Sequence, residues 1–426
     1  MLRLDHAQNN VSQQHRSKDF WGFPLTALTY FFCWQIIFGY LTLWLKQVAH
    51  LNGVEAGVIF SMMSGMSLLF QPVFGVISDK LLFKKNLVLT ISCGLILVGP
   101  YFTFVFMPLM HSTGRLVTSI ITGLYLSFVL SGGVSTIEQY MQRASLANKF
   151  EYAHARMGGS LGGAIASFLG GKLFLWHPDA IFWGITVSAI ILTCTFLFSD
   201  KIHMENASAA TSSDDKLDMS LLGSIFKLRN FWFLCIFYIG TSALYDVFDQ
   251  QFIIFFKSFY HSAAVGTTAY SYMTTAQIAL EFLLMFPMPY IINKIGARNG
   301  LIAYGTILAI RIIGSALSPN VYVVIVLRLL AGFEMPLILT SIMKYISGSF
   351  DLGLFATVYA ITCNFAKQIS VFIFSSLAGH WYDAFGFQHT YLILGIIVAV
   401  VTVICMFGLT KEDPVQAGEV KQPAKQ

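Results

Sequence analysis

The sequence predicts an all-α membrane protein of twelve transmembrane helices in two pseudo-symmetric six-helix bundles. Three observations carry this. Hydrophobic residues are 56% of the 426 and charged residues only 11%, less than half of the roughly 25% typical of soluble domains. The apolar residues recur in stretches of about 20, each long enough to cross ~30 Å of hydrocarbon as a helix. Lys and Arg fall overwhelmingly in alternate loops, as orientation in a membrane requires. A soluble, secreted disulfide-stapled or nucleic-acid-binding protein is excluded on this composition. The six cysteines lie in apolar stretches with no CxxC or Cys/His cluster, so free thiols and no metal site are expected.

The spans are read in order at 22–45, 56–78, 86–108, 116–140, 153–175, 180–198, 230–256, 268–292, 299–318, 320–346, 353–379 and 388–409. Residues 1–19 are polar and unlike a cleavable signal peptide. In span four, Ser131, Ser135, Glu138 and Gln142 form one polar stripe at helical spacing. Span five is rich in glycine (Gly158, Gly159, Gly162, Gly163 and Gly170), which suits close helix packing. A polar gap over 199–229 separates the two halves. The expected organisation is therefore 1–198 as one bundle, 199–229 as a cytoplasmic loop and 230–426 as the second bundle. Span seven carries Asp246 and Asp249 on one face. Span eight carries the stripe Thr274, Gln277 and Glu281. Arg311 lies in span nine, Arg328 and Glu334 in span ten, and Lys367 in span eleven.

The loop after span two, Gly75 to Lys85, has a counterpart after span eight, Ile292 to Asn299. Two short basic turns at matching places suggest duplication, as in transporters built from two bundles. With both termini on one side, only Lys46, Arg115, Lys172 and Lys257 fall on the other. This predicts cytoplasmic termini.

Charges within a membrane helix are costly and functional by default. Here they are of both signs (Glu138, Arg156, Asp246, Asp249, Glu281, Arg311, Arg328, Glu334 and Lys367), which suits internal pairing rather than a single-sign pore. The polar stripes fit either a water-filled cavity or hydrogen bonding between helices. All ten histidines fall in tails, loops or span ends, so a proton switch has to be a carboxylate. Glu334, in the apolar run Ala331 to Pro336, is the expected group, with Arg311 to compete for it. Permanent pairing of Glu334 with Arg328 or Arg311 is the alternative.

Residues about 20–410 resemble the lactose, raffinose and sucrose permeases, the oligosaccharide:proton symporters of the major facilitator superfamily. The resemblance rests on Phe70 to Lys80, Phe150 to Met157, Tyr245 to Phe252, Arg311 to Ser315 and Phe333 to Pro336. It implies that Glu138 and Arg156 bind sugar and that Arg311 and Glu334 couple the proton. It also implies structural charge pairs, Asp246 with Lys367 and Asp249 with Arg328. Gln277, Glu281 and Trp34 resemble the sucrose branch and are expected at the sugar site. Four positions depart from the pattern: Gly163 stands where the lactose permeases have Trp, Ala331 where they have His, Ile278 where they have Glu, and Leu82 at a usual glycine.

The expected function is proton-coupled import of a disaccharide or small oligosaccharide, such as sucrose, lactose, melibiose or raffinose. An uncoupled sugar facilitator or exchanger, or a carrier of another small solute, is the alternative. No catalytic residue, nucleotide-binding loop or metal cluster is present in the sequence, so an enzyme is not expected. The expected partners are the sugar, the proton as coupling ion and the lipid bilayer, with no cofactor and no nucleic acid. The protein is expected to act as a monomer in the cell inner membrane.

Overall fold

A computed structural model describes residues 21–81, 85–148, 152–199, 225–350 and 354–410. The termini, the basic turn at 82–84 and most of the polar gap (200–224) lie outside the described residues. The helices are α1 (Gly22–Gln47), α2 (Gly53–Leu81), α3 (Asn86–Thr113), α4 (Arg115–Ser145), α5 (Tyr152–Trp176), α6 (Ala180–Phe198), α7 (Arg229–Gln250), α8 (Ala263–Met285), α9 (Ala297–Leu317) and α10 (Val321–Ser349). A final run, Thr357–Gly408, is 52 residues long. No strand occurs among the described residues.

Nine of the described helices are long and apolar enough to cross a membrane. Where this count differs from twelve, the chain supplies the reasons. The 52-residue run would rise about 78 Å as one helix, far more than one crossing needs. It breaks at Gly386, where φ is 77° and ψ is 174°, a region that glycine enters without steric cost. This divides it into α11 (357–385) and α12 (387–408). The α8 helix bends by 61° into Met288–Ile295, where Pro287 and Pro289 remove two backbone donors and disfavour helix in the residues before them. The single span expected at 268–292 is thus a broken one. The span expected at 230–256 is also interrupted. Gln251 leaves helical geometry at φ −116° and ψ 7°, and the Gln250 carbonyl accepts instead from the Thr42 hydroxyl at 2.5 Å. The α5 helix, at 25 residues, is diluted by its glycines, Arg156 and Lys172.

The chain forms two compact units. One comprises 1–215 with 250–279 and 375–380, the other 216–249 with 280–374 and 381–426. In the first, α1 lies directly against α5. A Cβ at Gly158 or Gly162 would fall 2.2 or 2.1 Å from the Pro24 or Leu28 carbonyl oxygen, so glycine is what permits the approach. A reciprocal cap starts α2. The Asn52 amide donates to Glu55 Oε2 at 2.9 Å, and the Glu55 amide donates to Asn52 Oδ1 at 2.8 Å.

The two units share a device that the paired basic turns hinted at. In the first, Arg143 of α4 donates to the Ser78 carbonyl at the end of α2, and Lys85 donates to the Phe196 carbonyl of α6. In the second, Lys344 of α10 donates to the Pro289 carbonyl beyond α8, and Arg298 of α9 donates to the Leu409 carbonyl after α12. Arg143, Lys85 and Arg298 each meet the negative end of a helix, whose last carbonyls lack intrahelical partners, whereas Lys344 meets a carbonyl in the first turn of Met288–Ile295. The correspondence of α2, α3, α4 and α6 with α8, α9, α10 and α12 is what a duplicated six-helix unit would produce.

Candidate functional site

Among the described residues, the charges paired within the helices form one couple in the first unit, and one network and one further pair in the second. In the first, Arg156 Nε donates to Glu138 Oε1 at 3.0 Å, with both side chains about one-third exposed. The Phe31 ring of α1 lies over the guanidinium, 3.7 Å from Cζ. Gly159, one turn after Arg156, makes room for both, since a Cβ there would sit 2.5 Å from Arg156 Nη1 and 2.8 Å from the ring. The bond uses one guanidinium nitrogen and one carboxylate oxygen. The other nitrogens are donors only and the other oxygen an acceptor only. Side by side and reachable by water, they match a pair of neighbouring hydroxyls on a polyol.

Trp34, one turn along α1 from Phe31, is half-buried and stacks on Phe38 with centroids 4.5 Å apart. Gln277 is buried, and its Oε1 has no hydrogen-bond partner within the protein. Glu281 is half-buried one turn further along α8.

The second unit holds a largely buried network, with only Asp249 partly exposed. Arg311 grips Glu334 with two bonds, Nε to Oε1 at 2.8 Å and Nη2 to Oε2 at 2.8 Å. The third guanidinium nitrogen, Nη1, donates to Asp249 Oδ1 at 3.1 Å. Arg328 Nη1 donates to the same oxygen at 2.5 Å. Arg311 is 1% exposed and Glu334 0%. Two guanidinium groups and two carboxylates balance in charge, which is what makes such burial tolerable. Tyr245 and Phe248 place their rings 5.1 and 4.8 Å from Arg311 Cζ. Ala331 is buried three residues before Glu334 and adds no polar group to the network.

A separate pair joins α7 to α11. Lys367 Nζ lies 2.9 Å from Asp246 Oδ2, and both side chains are partly exposed. Wide π-helical turns precede each partner, Tyr238–Ser242 before Asp246 and Ala360–Ala366 before Lys367. Such turns are rare and often set functional side chains at a fixed angle. Among the described residues no group of three His, Cys, Asp or Glu stands close enough to hold a metal.

Three contacts were not legible beforehand. Arg311 reaches Asp249 as well as Glu334, Phe31 covers Arg156, and Tyr245 with Phe248 flanks Arg311. Tyr245 and Phe248 fall in the run that carries the family resemblance, which is the one signal that pointed to them. Phe31 lies 125 positions from Arg156 in sequence, in a run of aromatic residues with nothing to single it out.

The sequence profile of a known family, the LacY proton/sugar symporters, matches residues 12–421. The chain belongs to this family. Raffinose permease of Escherichia coli is 40% identical over 406 residues, covering 94% of this chain and 95% of that protein. Melibiose permease of Enterobacter cloacae is 38% identical over 413 residues, covering 96% and 97%. Sucrose permease of Escherichia coli is 31% identical over 388 residues, covering 91% and 92%. The crystal structure of the nucleoside transporter NupG superposes with a TM-score of 0.75 over 93% of this chain and 100% of its own, at 13% identity. That likeness concerns the fold alone. This LacY-family protein is therefore a multi-pass membrane transporter of the major facilitator type, a proton/sugar symporter and not an enzyme.

The Asp246–Lys367 pair provides a direct test of structural pairing. Asp246→Asn leaves the Lys367 ammonium uncompensated and is expected to lower the amount of folded protein in the membrane. Replacing Lys367 by Gln in the same chain is expected to restore it, with a coupling of about 0.5–3 kcal/mol. Thermal unfolding of the purified single and double variants reads this, and additive losses would show that the two charges do not act as a pair.

Proposed function

We propose that the protein imports a disaccharide or small oligosaccharide, together with a proton, across the cell inner membrane. Glu138 and Arg156 bind sugar hydroxyls, helped by Trp34, Gln277 and Glu281. Arg311 and Glu334 handle the proton. The Asp246–Lys367 and Asp249–Arg328 pairs hold helices together. The carrier acts as a monomer with both termini cytoplasmic and needs no cofactor besides the proton.

The observation that carries this reading is the contrast between the two groups of charges. The Glu138–Arg156 couple is open to water and has unused donors and acceptors. The Glu334 carboxylate is sealed and held by both arms of one guanidinium. The first arrangement suits a hydroxyl-rich ligand that comes and goes. The second suits a single small ion. A proton on Glu334 removes its charge and weakens its hold on Arg311, which Asp249 still retains. The charge balance of the buried network therefore changes by one, and sugar occupancy can be linked to it.

An uncoupled carrier of the same fold is the reading that a direct test of coupling through Glu334 has to exclude. External pH in a lightly buffered, de-energised suspension of expressing cells separates the two. Adding sucrose, melibiose, lactose or raffinose in separate runs is expected to make the medium more alkaline with at least one of them. Sugar equilibration without any pH change would overturn coupling, and no response or uptake with any sugar would point to another solute.

A further inference from the structure

The end of the second unit at which α7 begins carries charge of one sign. Asn230 marks this end, because its Oδ1 accepts from the Tyr345 hydroxyl of α10 at 2.5 Å and from the Thr410 amide beyond α12 at 3.3 Å. Lys227 and Arg229 stand at the start of α7. Arg298 reaches the Leu409 carbonyl at the same end, and Lys344 joins Asn293, the neighbour of Lys294. The described carboxylates of this unit are Asp246, Asp249, Glu281, Glu334 and Asp383. Each lies ten or more residues along the chain from any of these five cations. Among the described residues, neither Lys227 nor Arg229 is bonded to a carboxylate.

The chain here has a particular shape. A turn leads into α7, closed by the Leu228 amide on the Ile225 carbonyl at 3.0 Å and by the Trp232 indole N–H on the Phe226 carbonyl at 2.9 Å. Ile225 and Phe231 are buried and anchor it. Lys227 and Arg229 are exposed, and so are the Phe226 and Trp232 rings, at 48% and 51% with centroids 6.1 Å apart. The Arg229 guanidinium carbon lies 5.1 Å from the Phe233 ring. Further along α7, Ile236 and Ile239 are exposed at i+4 and i+7 from Trp232, on one face of the helix. Cation, aromatic ring and aliphatic side chain thus follow one another down a single exposed face. That is the order of phosphate, glycerol and acyl chain in a phospholipid, and aromatic rings favour the level between headgroup and hydrocarbon. A guanidinium fork matches phosphate oxygens, and each Lys or Arg adds attraction to an anionic headgroup. A zwitterionic headgroup would bring its own cation to a face that carries five and no described carboxylate.

We propose that this face of α7 binds an anionic phospholipid. Its phosphate lies at Lys227 and Arg229, its glycerol region against Phe226 and Trp232, and one acyl chain along Ile236 and Ile239. The site is separate from the charge network around Arg311 and does not depend on the nature of the transported solute.

Purified full-length protein, stripped of lipid in detergent and titrated with phosphatidylglycerol or phosphatidylethanolamine, tests this when bound lipid is counted by native mass spectrometry. The wild-type protein is expected to bind one phosphatidylglycerol at least about tenfold more tightly than phosphatidylethanolamine. Lys227→Gln with Arg229→Gln should reduce this preference below about twofold, while Lys227→Arg with Arg229→Lys keeps both charges and most of the preference. A photoactivatable phosphatidylglycerol should label the wild-type peptide containing Phe226 and Trp232, which gives a reading even if the variants fail to fold. Unlabelled phosphatidylglycerol should compete with that labelling, and phosphatidylcholine should not. Equal affinity of the wild-type protein for the two lipids, a preference unchanged in the double Gln variant, or labelling confined to other helices overturns the site. Displacement of the label by inorganic phosphate as readily as by phosphatidylglycerol would show a site for a free anion and overturn the lipid.

Discussion

Arg156→Ala is expected to abolish measurable sugar binding, by at least about 100-fold in Kd, while the protein still inserts and folds. Two charge-assisted hydrogen bonds to sugar hydroxyls, each contributing about 1.5–3 kcal/mol, account for a loss of that size. The cost to folding is much smaller. Both side chains of the Arg156–Glu138 pair are about one-third exposed, and partly solvated ion pairs contribute about 0–1 kcal/mol. Arg156→Lys keeps the charge but loses the planar fork, so an intermediate loss is expected. Glu138→Ala should behave like Arg156→Ala. Substrate protection of the purified variants against thermal unfolding, with far-UV circular dichroism as the folding control, reads these effects. Normal affinity in Arg156→Ala or Glu138→Ala would place the sugar elsewhere.

Glu334→Gln is expected to abolish accumulation of sugar against its gradient while leaving sugar binding within about threefold, less than 1 kcal/mol. Gln has the shape of Glu but no proton to exchange in this range. Its amide oxygen can still accept one bond from Arg311, and Asp249 keeps the second hold at 3.1 Å. The stability lost is therefore that of one charge-assisted bond, about 1.5–3 kcal/mol, rather than collapse of the network. Sugar-dependent alkalinisation should vanish in the same variant, and the steady-state internal sugar level should fall to the external one. Full uphill accumulation in Glu334→Gln would remove the proton role from this carboxylate.

How much of the site was legible beforehand depended on the cost of placing each group in hydrocarbon. Glu138, Arg156, Arg311 and Glu334 stand out in the sequence because charges within membrane helices are expensive and few. Their partners are less legible. Asp249 lies 62 positions from Arg311 and 79 from Arg328, and nothing in either local pattern says that both cations converge on one oxygen. Glycine shows the same limit more sharply. Six glycines on α5 look alike in the sequence and all suggest close packing. Only the neighbours of each one separate Gly163, which faces open space, from the five that are crowded.

The sequence by itself determined the class of the protein, the order of its apolar helices, the matching basic turns and the family. The first three follow from local composition and spacing, which a bilayer reads residue by residue along a helix; the family rests on the resemblance of particular runs, such as Tyr245 to Phe252. The tertiary structure alone decided where helices break, that Arg311 bridges Glu334 and Asp249, that Phe31 covers Arg156, and that the space beside Gly163 is open. These depend on atoms brought together from distant parts of the chain, and their free energies arise only when packing removes water and fixes the partners.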